Sequence, residues 1–146
     1  MNLSLENRRW MIAIGLIICT ASAYSQIGTF DFIYWDDNIY IFENPYVKYG
    51  FSVEAVRWAF SADLLFESPN AEYWQPMTFL SRMLDVELFG LHSGGHHLMN
   101  LFFHLVNVIL LFYFFAKATG SHWQSALVAA VFGLHPLQVE SVSWIT

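Results

Sequence analysis

Asp36 and Asp37 stand side by side within Phe32-Ile33-Tyr34-Trp35-Asp36-Asp37-Asn38-Ile39-Tyr40, two carboxylates in an aromatic surround. The chain is 56% hydrophobic, 18% aromatic and only 12% charged, so its few acids can be read one by one. Neighbouring carboxylates against apolar walls raise one another's proton affinity, which lets one accept a proton while the other orients the group that gives it. That suits glycosyl transfer from a lipid phosphate, where a hydroxyl is deprotonated as the sugar carbon develops positive charge and the phosphate leaves. The same pair before Asn38 also suits a turn or a helix cap. A divalent cation is a third use, but two ligands fall far short of the shell such an ion takes, so no metal site is assigned.

The acids need elements to hold them, and the nearest is apolar. Arg8 and Arg9 precede residues 10–27, a nearly uncharged run that rises about 27 Å as a helix, close to one hydrocarbon thickness. Ala21-Ser22-Ala23 after a basic start also matches a cleavable signal peptide. Further spans downstream favour an uncleaved first helix. The mean hydropathy of +0.42 agrees with a bilayer as solvent. A net charge of −6 with six Lys and Arg excludes a nucleic-acid partner, which needs a basic face. Cys19 is the one cysteine, so no intrachain disulfide forms.

Residues 28–95 are too polar to cross a membrane and read as a large folded loop. It holds ten acids against Lys48, Arg57 and Arg82. Val53, Val56 and Phe60 fall at helical spacing behind Ser52, a good N-cap residue. Leu80, Met83, Leu84 and Leu88 do the same behind Pro76, with Gly90 as a stop. Trp58, Phe79 and Phe89 add aromatic bulk of the kind that settles at a membrane surface, so both helices are expected to lie along the interface.

Residues 96–116 form the strongest span. His97, Asn100, His104 and Asn107 share one of its faces, which predicts hydrogen bonds between helices rather than a metal site. Residues 117–121 make a short turn, and residues 122–135 form a third apolar segment in which Ala126, Ala129, Ala130 and Gly133 allow close helix approach. His135-Pro136 ends or bends that helix. The fold expected is therefore all-α: a polytopic membrane protein with three transmembrane helices and a large outer loop carrying two interfacial helices. The positive-inside rule places the N-terminus, Arg8, Arg9 and Lys117 in the cytoplasm. Counting crossings then puts Asp36, Asp37, His135 and Glu140 on the outer side, where they are expected to converge on one cavity at the lipid border.

Five stretches carry a resemblance. They are Tyr34-Trp35-Asp36-Asp37; Glu43-Asn44-Pro45-Tyr46-Val47; Tyr73-Trp74-Gln75-Pro76-Met77-Thr78; Gly95-His96-His97-Leu98-Met99-Asn100 with His104; and His135-Pro136-Leu137-Gln138-Val139-Glu140-Ser141-Val142. In order and spacing the chain resembles the N-terminal part of the transmembrane and tetratricopeptide-repeat glycosyltransferases, protein O-mannosyltransferase-like members of the multi-spanning C superfamily (GT-C), with many bacterial relatives. The resemblance implies a polyprenyl-phosphate sugar as donor, possession of a protein or envelope-glycan acceptor, and Asp36 and Asp37 as the acidic motif that places the catalytic carboxylate. It further implies Glu140 and His135 in the second outer loop and Arg82 as a phosphate-binding or structural base. Gln75 departs from the arginine of several members. Relatives continue with further spans and C-terminal repeats, so the chain is expected to be a fragment and inactive alone.

Two other classes fit parts of the sequence. A transporter or channel would use the acids as a cation-attracting vestibule and the polar stripe of residues 97–107 as a pore lining. A non-catalytic membrane anchor of a repeat scaffold would leave the acids silent.

Overall fold

The computed structural model describes residues 5–61 and 74–145. Asp63, Glu67, Glu72 and Tyr73 of the expected loop lie outside the described residues. Every regular element among the described residues is helical: α1 (Leu5–Ala23), α2 (Val53–Phe60), α3 (Pro76–Phe89), α4 (Ser93–Thr119), α5 (His122–Leu134) and α6 (Gln138–Ser143), with a 3-10 turn at Ile27–Thr29 and a π-helical turn at Asn38–Phe42. The chain divides into two compact units, Met1–Ile27 with His97–Trp144, and Gly28–His96 with Ile145–Thr146.

The first unit packs α1, α4 and α5, with α6 following. Two of its helical stretches, Glu6–Thr29 with 24 residues and Ser93–Thr119 with 27, are long and apolar enough to cross a membrane. α5 has only 13 residues, about 20 Å, because the backbone becomes extended at His135 before Pro136. By length it falls short of the third span expected from the sequence.

Contacts within this unit fix the helix directions. Trp10 meets Tyr113 edge-on at 6.4 Å and Tyr24 meets His104 at 5.6 Å, so α1 and α4 run antiparallel. Arg9 Nε donates to His122 Nε2 at 2.6 Å near the start of α5. At the far end, a Cβ on Gly133 would sit 2.8 Å from Thr20 Oγ1 and 3.0 Å from Val108 Cγ2. α1 and α5 are therefore parallel, and a side chain at position 133 would crowd those of Thr20 and Val108. Arg8, Arg9 and Lys117 consequently share one end of the unit; Lys117 lies in the last turn of α4, which runs to Thr119, so the connecting turn expected at 117–121 is shorter. Ala13, Leu16, Val108, Phe112, Ala116 and Ala129 fill the centre. The outward faces carry Ile14, Ile18, Phe102, Leu110, Phe114, Leu127 and Val131 exposed, a surface suited to an apolar solvent.

The second unit has a core of Ile41, Val47, Ala55, Trp58, Ala59, Phe79, Met83, Val86 and Ile145. Ser52 caps α2 as expected, its Oγ accepting from the Ala55 amide at 3.0 Å. Pro76 occupies the first turn of α3, which ends at Gly90. The faces differ from the sequence expectation. α2 buries Ala55, Trp58 and Ala59, while Val53 and Phe60 stay exposed. α3 buries Phe79, Met83 and Val86, while Leu84 and Leu88 stay exposed. The cause is aromatic: Trp58 stacks on Tyr46 at 4.7 Å and meets Phe79 edge-on at 4.8 Å, and this cluster sets the rotation of both helices. Trp58 and Phe79 therefore serve the core of this unit, where each burial contributes roughly 2–3 kcal/mol; of the three expected surface aromatics only Phe89 is exposed.

Candidate functional site

Asp36 and Asp37 lie where the chain tightens into the π-helical turn, and local hydrogen bonds shape the approach. Tyr40 N–H donates to the Asp36 carbonyl at 2.9 Å. Asp37 turns inward: it is 1% exposed, and its Oδ2 accepts from the Ile33 amide at 2.8 Å, closing the segment between them. Asp36 is half-buried, and its neighbours Tyr34 and Trp35 are exposed.

Glu43 clasps the outer side of the turn. Its Oε1 accepts from Tyr34 Oη at 2.6 Å and its Oε2 from Asn38 Nδ2 at 3.1 Å. Those two donors hold the Glu43 carboxyl below the usual range, and the bond to the Glu43 carboxylate in turn pushes the Tyr34 phenol up. Asn44 then folds the next residues back, its Oδ1 accepting from the amides of Tyr46 and Val47 at 3.0 and 3.2 Å. The stretch Glu43-Asn44-Pro45-Tyr46-Val47 is thus a scaffold for the acidic turn.

The same unit holds a buried polar cluster. Arg82 on α3 reaches Asp85 with Nη1 to Oδ2 at 3.1 Å, its side chain 11% exposed and that of Asp85 fully buried. Burial pulls the Arg82 guanidinium below its ordinary range, opposed by Asp85 and then by the charge of Asp37. Burial likewise pushes the Asp85 carboxyl up to about 6, opposed by Arg82. His96 completes the group: its Nδ1 is 3.7 Å from Asp85 Oδ2, and its Nε2 lies 2.9 Å from the Gly90 carbonyl. Gly95 permits this, since a Cβ there would run into the ring of Phe89.

No protein-family model, curated protein or solved structure matches the chain.

Of the five residues singled out from sequence, Asp36, Asp37 and Arg82 belong to the second unit, and the charges of Asp37 and Arg82 interact. His135 and Glu140 belong to the first unit, both exposed. His135 Nδ1 accepts from the Leu137 amide at 3.2 Å, a turn-closing bond between α5 and α6. Arg82 Nη1 is engaged with Asp85.

Asp85 and His96 were missed as site residues. The sequence signal for Asp85 was an acid inside the apolar periodicity of Phe79, Met83 and Val86, three residues after an arginine. The polar face of α4 behaves as the interhelical reading expected: Asn100 Nδ2 donates to the Trp144 carbonyl at 2.7 Å, and His104 Nε2 meets the Gly133 carbonyl at 3.0 Å. Asn107, the fourth member, is exposed. Among the described residues no three His, Cys, Asp or Glu side chains converge as a metal site.

Proposed function

We propose that the chain forms part of a membrane glycosyltransferase that moves a sugar, mannose among the candidates, from a polyprenyl-phosphate donor to a protein or envelope-glycan acceptor. The observation that carries the reading is the unequal treatment of the two aspartates. Asp37 is buried and bonded to Ile33, a fixed point of the turn, while Asp36 remains partly accessible beside the exposed rings of Tyr34 and Trp35. Asp36 is then the base that takes the acceptor hydroxyl proton, and Asp37 holds it in place. Exposed aromatic faces next to a carboxylate suit a sugar, whose ring presents C–H groups to one side and hydroxyls to the other.

The membrane setting extends from the two long apolar helices to three crossings, with α5 as the third. Parallel α1 and α5 with α4 reversed between them support that order, and Arg8, Arg9 and Lys117 at one end support a cytoplasmic placement of that end. Counting crossings along the chain then assigns the acidic turn to the opposite compartment, and assigns His135 and Glu140, as donor-binding residues, to that compartment as well. A channel reading is weakened because Asn100 and His104 direct their polar groups to backbone carbonyls instead of an open path.

The test is transfer from a radiolabelled polyprenyl-phosphate sugar by the complete protein carrying Asp36→Asn or Asp37→Asn. Asp36→Asn should lower transfer by about 10²–10⁴-fold with the fold intact. Full activity in both variants would remove the assignment.

A further inference from the structure

Within the first unit the parallel helices α1 and α5 leave a groove of about 740 Å³ between them. Its walls are apolar along most of their length, with Met11, Leu16, Leu127 and Leu134 among them, and a charge stands at one end only, on Arg8. Two contacts hold the walls at their ends: Arg9 Nε donates to His122 Nε2 at 2.6 Å, and the Thr20 side chain lies against Gly133. Between those contacts the lining residues Gly15, Ala126 and Ala130 are small, which leaves the room. A Cβ on Gly15 would meet nothing within 4 Å, so the space over that residue is open.

The dimensions and the charge select the occupant. From Arg8 to Thr20 the α1 wall rises about 18 Å, and from Trp123 to Leu134 the α5 wall rises about 17 Å. The hydrocarbon core of a bilayer is about 30 Å thick, so the groove has the depth of roughly one leaflet. A helix that crossed the whole core would overrun it. A second copy of the chain, turned about a two-fold axis along the membrane normal, would bring Arg8 toward Arg8, two like charges at the lipid border. A single amphiphile meets neither objection, since its tail fills a slot of leaflet depth and its headgroup reaches the basic end. Arg8 is exposed and, among the described residues, enters no ion pair, while Arg9 is bonded to His122 and Lys117 adds positive charge at the same end. Trp123 lines that end and is exposed, as suits an indole ring among headgroups.

We infer that the groove between α1 and α5 seats one anionic phospholipid, an acyl chain laid along Gly15, Ala126 and Ala130 and the phosphate at Arg8. The lipid belongs to the leaflet at the Arg8 end, and no residue of the acidic turn contributes to the site. A basic pocket between spanning helices holds such a headgroup because the phosphate gains charge-assisted hydrogen bonds while the tail stays among apolar side chains. A seated lipid covers both walls at once and so fastens the short helix α5 to α1. The inference rests on the membrane setting of this unit and stands whether or not the acidic turn transfers sugar.

The experiment is native mass spectrometry of the complete protein released from detergent micelles that hold equal amounts of phosphatidylglycerol and phosphatidylcholine with the same acyl chains. The expected result is one retained lipid, with phosphatidylglycerol favoured about fivefold. Arg8→Gln should bring that preference close to parity. Gly15→Leu should lower retention several-fold at unchanged helix content, since leucine suits a helix better than glycine and its side chain enters the open groove. Equal retention of the two lipids by the unmodified protein would overturn the inference, and that comparison decides even if neither variant folds. Undiminished retention in Gly15→Leu, a retained second copy in place of lipid, or displacement by a polyprenyl phosphate at lower concentration than phosphatidylglycerol would each overturn it as well. Recovery of the protein from the aqueous phase on detergent phase separation would overturn it together with the membrane setting, whereas a membrane-bound protein without lipid preference overturns the groove alone.

Discussion

Arg82 and Asp85, one turn apart on α3, meet at 3.1 Å with the carboxylate shut off from solvent. A buried ion pair of this kind contributes little net stability, since desolvation offsets most of the attraction, but its members depend strongly on each other. Arg82→Met should therefore destabilise the chain by about 3–5 kcal/mol at neutral pH, because Asp85 must then stay charged without its partner or take up a proton. Arg82→Met combined with Asp85→Leu should recover most of that loss. Thermal unfolding of the single and double variants in detergent measures both values.

The acid pair should separate by stability as well as by activity. Asp37→Asn weakens the hydrogen bond to Ile33 and removes the charge facing Arg82, at an expected cost of about 1–3 kcal/mol. Asp36→Asn should stay within about 0.5 kcal/mol of the parent chain. Chemical denaturation of the two variants side by side checks the ordering, and equal losses would contradict the division of roles.

Stability should also depend on pH through Asp85. Its folded carboxyl, near 6, lies above the ordinary value of 3.8, so the folded chain holds that proton more tightly than the unfolded one. The contribution is fully present below about pH 4 and is lost as pH rises through 6, a swing of about 3 kcal/mol at most and smaller once solvent screening is counted. Glu43 works in the opposite sense, since its lowered carboxyl favours the fold above its ordinary range, but it is exposed and screened. Melting temperatures at about pH 5 and about pH 7 should converge in Asp85→Asn.

Gly133 is a close approach in the helical unit, with the Thr20 and Val108 side chains against the position its Cβ would take. Gly133→Leu should push α5 away from Thr20 and Val108 and cost about 1–3 kcal/mol or more. Loss of helix content on mild heating in detergent, relative to the parent, would register it. Leu127→Ala on the exposed face of α5 is the control and should be close to silent in that assay.

Boundaries were legible in the sequence where a single residue type carries them. Ser52 begins α2 and Pro76 begins α3, and His135-Pro136 halts α5, because caps and proline act locally. The buried faces of α2 and α3 were not legible. Val53, Val56 and Phe60 have helical spacing, yet Ala55 and Trp58 face the core because Trp58 finds Tyr46 and Phe79, contacts that exist only once distant segments meet. The acid pair was visible from its isolation among aromatics. Asp85 was not, since an acid in a helix ordinarily faces water, and only its position three residues after Arg82 hinted otherwise. His96 was hidden for a further reason: its role depends on the carbonyl of Gly90, a backbone atom that carries no sequence signature.

The clasp that Glu43 makes on Tyr34 and Asn38 sits in water, whereas the Asp37 anchor sits inside. Bonds of the first kind open at a small fraction of the free energy of global unfolding, so the rim around Asp36 can rearrange many times within the lifetime of the native state. The turn therefore combines two rigidities only one peptide bond apart. A bulky visitor can reshape the outer lip while the carboxylate beneath keeps its bearings.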